Sequence, residues 1–228
     1  MFGYLVAVTS LELVTGIIIL PQRQTALVAK QAAEVDLLTR GRFRLGVGLG
    51  WNPVEYEALG QSFEQRGRRL SEQIEVLRRL WTETSITYTG TFDTVIGAGI
   101  APPPIQRPIP IWIGGVSDPA YRRIGRLADG WFPRIPPDET LQQALEVIGA
   151  AAREAGREAG SIGMEARVSW APTNVDGFST EVEAWRQAGA THLTVDTMST
   201  GQTTVDEHIT ALQRAADVIA SVPQTDDH

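Results

Sequence analysis

The chain has 228 residues, 43% of them hydrophobic, 21% charged and none of them cysteine, and its formal net charge is −7. Such a composition suits a globular core and excludes a disulfide framework, a thiolate nucleophile and a thiolate metal site. The acidic balance argues against a nucleic-acid surface, and the apolar runs FGYLVAV (2–8) and GIIIL (16–20) are too short to span a bilayer and lack the basic flank of a signal peptide. We therefore expect a cytoplasmic protein with neither membrane nor nucleic-acid partner.

FGYLVAVTS reads as the end of a helix. LELVTGIIIL (11–20) is a β-rich run, followed by Val28, Ala32, Val35 and Leu38 at helical spacing. FRLGVGL (43–49) is a second run, with Leu70, Ile74, Leu77 and Trp81 on one helix face behind it. Residues 84–108 read as a two-stranded ribbon and a proline-rich return. IPIWIGG (109–115) precedes Ala120, Ile124 and Leu127; GWFP (130–133) precedes Leu141, Leu145, Ile148 and Ala152. MEARVSW (164–170) leads to Val182 and Trp185. HLTVDT (192–197) leads to a last helix whose apolar stripe is Val205, Ile209, Leu212, Ala216 and Ile219, and residues 223–228 form a solvated tail. Six strand–helix units without a dividing linker imply one domain with a parallel sheet, open or closed into a barrel.

In either architecture ligands gather beyond the C-terminal strand ends. One such end, RFRLGVGLGWNPVEYEALG (42–60), places glycine at 46, 48 and 50. A dinucleotide loop of the form G-x-G-x-x-G would need glycine at 51, where Trp51 stands. Glycine at alternate strand positions instead points to close approach by a backbone or a ligand. A second cluster, Gly114, Gly115, Val116 and Ser117, leads into the helix PAYRRIGRLA. Either an anion sits on its amides, or Ser117 caps it. Arg134 is the one basic residue at a strand end, and Arg122, Arg123 and Arg126 read as solvated. His192, His208 and His228 have no metal-site spacing.

GRFRLGVGLGWNPVEYEALG, FEQRGRRLSEQIEVLRRLWT (63–82), PIQRPIPIWIGG (104–115) and GRLADGWF (125–132) together resemble the bacterial luciferase-like superfamily. They are most similar to its branch that uses the deazaflavin coenzyme F420. The resemblance implies a TIM-type (β/α)8 barrel, a homodimer, a small-molecule substrate and a coenzyme across the C-terminal mouth. It also implies that the first two barrel strands are missing from this sequence, so that more protein is encoded upstream of Met1.

The resemblance further assigns roles. A bulge with a non-proline cis peptide falls at Gly16–Ile17, behind the ring; Gly46, Gly48 and Gly50 let the chain pass close to it. Trp51 faces the reactive edge, where it excludes water, and Asn52 hydrogen-bonds ring or substrate. Glu55 is a possible acid but more naturally a partner of a helix start. Gly114, Gly115, Val116 and Ser117 hold phosphate, Arg134 holds substrate or coenzyme tail, and Asp129 is structural. Three functions follow: hydride transfer between coenzyme F420 and an unidentified organic substrate, FMN-dependent monooxygenation, or a truncated barrel that binds a flavin without turnover.

Overall fold

A computed structural model describes residues 1–171 and 173–221; the expected tail and His228 lie outside the described residues. The chain opens with helix α1 (Phe2–Val8). The main sheet then takes β1 (Leu13–Val14), β2 (Ile18–Ile19), β3 (Phe43–Gly48), β6 (Ile111–Gly114), β7 (Gly130–Phe132), β8 (Gly163–Ser169) and β9 (His192–Asp196), every pair parallel. Helices α2 (Thr25–Thr39), α4 (Arg66–Thr82), α5 (Asp118–Leu127), α6 (Glu139–Glu154), α7 (Val175–Gln187) and α8 (Val205–Ser221) follow successive strands. The expected ribbon is present as β4 (Ile86–Thr89) and β5 (Thr94–Ala98), antiparallel.

The expected run 11–20 is not one strand. Both β1 and β2 pair with β3, Val14 opposite Arg44 and Ile18 opposite Val47. Four residues on one side thus match three on the other, which is a bulge. The Gly16–Ile17 peptide within it is cis. Thr15 turns onto β3, its hydroxyl accepting from Gly46 N and donating to Gly46 O, both at 2.8 Å.

The sheet curls. Arg44 on β3 pairs with Glu165 on β8 at 2.7 Å, although three strand spacings separate them, roughly 14 Å along a flat sheet. One arginine bridges that gap only across a concave face. The six strand positions, counting β1 and β2 as one, therefore form a half-barrel, and among the described residues its two edges are β1/β2 and β9. Trp112 lies inside, with the Arg44 guanidinium 4.4 Å from its ring centre. Gly130 and Gly163 leave the room that this indole occupies.

The core lies between the convex face and the helices. Leu70, Ile74, Leu77 and Trp81 on α4 are buried as expected, as are Ala120 and Ile124 on α5 and Leu141, Ile148 and Ala152 on α6. The expected core stripe of α8 is not buried. That helix buries Ala211 and Ala215 in the core and Ile219 packs partly against it, while Val205, Ile209, Leu212 and Ala216 face outward. On α2, Leu38 is likewise exposed, because Ala29, Ala33 and Asp36 take the inward face.

Candidate active site

Three glycines of β3 and its exit face the bulged strand. A Cβ at Gly46 would collide with the Thr15 carbonyl, one at Gly48 would meet Ile17 Cδ1 and one at Gly50 would meet Ile19. Thus the alternate glycines receive Thr15, Ile17 and Ile19 of the neighbouring strand. The sequence signalled close approach; the approaching group is backbone and isoleucine.

Open space lies elsewhere. A Cβ on Gly16 would have no atom within 4 Å, and one on Gly114 would meet only Val47 O at 3.9 Å and Ile17 Cγ2 at 4.0 Å. Gly16 and Ile17 are exposed, and the Ile17 side chain reaches across β3 to 4.0 Å from where a Gly114 Cβ would lie. Together these residues make a smooth wall at the C-terminal rim, whose one side chain is that of Ile17.

The second glycine cluster divides. Gly115 is filled from behind: a Cβ there would lie 2.7 Å from the Ala120 side chain, so this glycine seats the first turn of α5. Val116 and Ser117 are exposed. Ser117 occupies the N-cap position, yet its side chain makes no capping bond. The capping alternative is therefore not realised, and first-turn amides remain open, although Pro119 contributes none and Asp118 adds a negative charge there.

Trp51 is 84% exposed, just past Gly50. Asn52 is the N-cap of a short helix, α3 (Pro53–Ala58), its Oδ1 accepting from Val54 N at 3.1 Å. The helix start expected at Glu55 is present, and Asn-Pro followed by Glu55 is the pattern that marks it. Glu55 receives Asn52 Nδ2 and Gln22 Nε2, each at 3.3 Å. Tyr56 behind it is fully buried and donates to Leu49 O. Burial outweighs the opposing pull of Arg66 and Arg69 and pushes its phenol up to about 12, so it stays protonated at neutral pH.

Arg134 is exposed beyond β7 and has no hydrogen bond or ion pair among the described residues. Arg122 and Arg126 are exposed as expected, but Arg123 is buried. Its Nε donates to Ser71 Oγ at 3.1 Å, and burial, then Arg126, hold its guanidinium below the ordinary value. Asp129 is structural, as expected: it accepts from Ile111 N and Arg78 at the opposite end of the barrel, both at 2.8 Å. His192 packs its ring on Trp112, and His208 contacts Thr197 Oγ1. Among the described residues no cluster of three acidic or histidine side chains is disposed to hold a metal, and no helix is long and apolar enough to cross a membrane.

Sequence reasoning missed the inner charged layers. Arg44 is held by Glu12 at 2.8 Å and Glu165 at 2.7 Å, and Thr194 donates to Glu165. Nearer the rim, Arg167 pairs with Asp196. Their signal was available: charged residues at alternate positions in otherwise apolar parallel strands, FRL and MEARVS.

The luciferase-like monooxygenase model matches residues 1–222, and the chain belongs to that family. It is 39% identical over 138 residues to an uncharacterized protein of Mycobacterium tuberculosis, covering 60% of this chain and 47% of that protein. It is 31% identical over 186 residues to an FMNH2-dependent dimethylsulfone monooxygenase of Pseudomonas putida, covering 72% and 50%. The chain thus spans about half the length of the curated relatives it matches. Among solved structures it superposes on a coenzyme F420 dependent tetrahydromethanopterin reductase from Methanopyrus kandleri with TM-score 0.78 at 16% identity, covering 97% of this chain and 85% of that one. An F420-dependent secondary alcohol dehydrogenase gives 0.73 at 16% identity, covering 89% and 76%. At such identity these likenesses show the fold alone, a TIM-type luciferase-like barrel lacking some strands.

Proposed function

From this family membership we propose that the chain is the half-barrel of an oxidoreductase that lays coenzyme F420 against the rim wall of Gly16, Ile17 and Gly114, with Gly48 beneath giving the Ile17 side chain its room. The observation that carries the reading is the bare space at Gly16 and Gly114, where any side chain would stand in the mouth. A planar tricyclic ring needs such a face, and the glycines fit it. When bound, this cofactor supplies two-electron hydride chemistry to a small organic substrate.

The chain's own residues bind and orient. Ile17 gives the wall an apolar backing. Val116, Ser117 and the first amides of α5 are the place for a phosphate-bearing tail, and Gly115 lets the helix come close enough to offer them. Arg134, without a hydrogen bond or ion pair among the described residues, is available to hold a tail or substrate anion. Trp51 serves as a water shield rather than a proton donor, since indole has no acidic proton at neutral pH. Asn52 acts through the helix it caps. Its Oδ1 is taken by Val54 N and its Nδ2 by Glu55, so it sets the direction of the chain beyond Trp51.

A second reading has a specific observation in its favour. The named curated relative that is 31% identical is an FMNH2-dependent monooxygenase, so FMN is the alternative cofactor. The reading also carries a cytoplasmic location and a homodimer, the latter supported by exposed Tyr4 and Val8 on α1 and exposed Leu27 and Leu38 on α2, two helices that pack together. Parallel titrations with coenzyme F420 and with FMN, followed by absorbance and fluorescence, test it. Saturable binding of F420 with weaker FMN supports the proposal; tight FMN and no F420 selects the monooxygenase reading, and neither binding sinks both.

A further inference from the structure

The inner layer nearest the rim is used by none of the roles above. Arg167 on β8 and Asp196 at the end of β9 lie on the concave face, two residues beyond Glu165 and Thr194, the inner pair below them. Two-residue alternation along a strand keeps them on that face. Residues at the C-terminal ends of barrel strands face the ligand mouth.

Their geometry is asymmetric. Arg167 Nε donates to Asp196 Oδ2 at 3.0 Å, and one Nη2 hydrogen goes to the same oxygen. The other carboxylate oxygen accepts from Met198 N at 2.9 Å. The acid is enclosed and the base is open: the side chains are 12% and 45% exposed. Burial pushes the Asp196 carboxyl up, but the Met198 amide and Arg167 outweigh it and hold the group below its ordinary value. Asp196 is thus a fixed anion, and Arg167 Nη1 makes no hydrogen bond among the described residues. In the layer beneath, Arg44 is closed off by two carboxylates. At the neighbouring strand exit, Arg134 adds a cation without an ion pair among the described residues.

We propose that Arg167, positioned by Asp196, is the substrate-recognition cation of this mouth, and that the substrate is a small organic acid whose carboxylate meets the free edge of the guanidinium. The inference rests on the mouth being the reactive site. A planar fork matches a planar carboxylate. A monoanion is favoured over phosphate, whose second charge would be driven against Asp196 and Glu165.

The test uses propionate and inorganic phosphate as probes, with Arg167→Met and Arg167→Lys variants. Binding is read from the arginine Nε–H resonances and by calorimetry, with F420 and FMN titrations run alongside. Propionate should bind saturably and shift the Arg167 resonance, with phosphate at least tenfold weaker. Arg167→Met should lose at least tenfold in propionate affinity and melt lower, because Asp196 keeps only the Met198 amide, Arg167→Lys should lose less of both, and each should keep its cofactor affinity. Arg167→Lys retains the charge and gives the comparison should the methionine variant misfold. Unchanged propionate affinity in the variants, tighter phosphate than propionate, or no propionate binding overturns the inference. Loss of cofactor binding in the wild-type chain, with propionate still bound, instead overturns the cofactor reading and leaves the anion site standing.

Discussion

Replacing Gly46 by alanine adds one methyl group, and the structure predicts a large cost. The new Cβ would be placed 1.8 Å from Thr15 O and 3.0 Å from Phe132 Cε2. The first obstacle is a backbone carbonyl fixed within the bulge, whose Thr15 hydroxyl is bonded to both the amide and the carbonyl of Gly46. No rotamer change relieves it. Overpacking of a tight core costs about 1–3 kcal/mol, and here the bulge must also shift, so we expect about 3 kcal/mol or more. For a domain of this size that is about 6–12 °C in melting temperature. Gly48→Ala is the control: its Cβ meets the flexible end of Ile17, Cδ1 at 2.6 Å, and should cost about 1 kcal/mol. Thermal unfolding followed by circular dichroism reads both. A Gly46→Ala protein melting within 1–2 °C of the parent would refute the claim that the bulge dictates this glycine.

Further outcomes follow from the same contacts. Arg44→Met should destabilise by about 3–5 kcal/mol in chemical denaturation, because it strands buried Glu165 without its counter-charge. Alkaline stability should depend on Tyr56: its phenol ionises near pH 10 unfolded and near 12 folded, so its contribution is complete below pH 10 and is lost as pH rises toward 12. The loss is at most about 3 kcal/mol, and unfolding curves of the parent and Tyr56→Phe between pH 9 and 12 should converge accordingly; parallel curves would reject it. Ser117→Ala should change stability by less than about 0.5 kcal/mol because no capping bond is lost, whereas Gly115→Val should lower the melting temperature by pushing on Ala120.

The order of elements was legible because parallel strands and amphipathic helices alternate with little ambiguity, as Leu70, Ile74, Leu77 and Trp81 illustrate. The α8 face was misread for a physical reason. Periodicity marks Val205, Ile209 and Leu212 as apolar neighbours, but it carries no information on which face turns inward, and the buried face is that of Ala211 and Ala215. Within the site, the glycine pattern of 46, 48 and 50 correctly announced close approach without naming what approaches. The occupant is the bulge one strand away, a tertiary contact that no local pattern encodes. Ser117 showed the reverse: a residue of capping type, at a capping position, leaves its hydroxyl unused. The pairing of Arg44 with Glu165, 121 residues apart in sequence, emerges only when the sheet curls.

The central claim is that the bare wall at Gly114 receives a planar cofactor, and the affinity of Gly114→Val measures it most directly. A Cβ at that position meets nothing closer than 3.9 Å, so the variant should fold and melt like the parent. The account predicts at least a tenfold weaker dissociation constant, roughly 1.4 kcal/mol, for whichever of F420 or FMN the parent binds, measured by fluorescence titration. An unchanged dissociation constant in a stably folded Gly114→Val protein would contradict it.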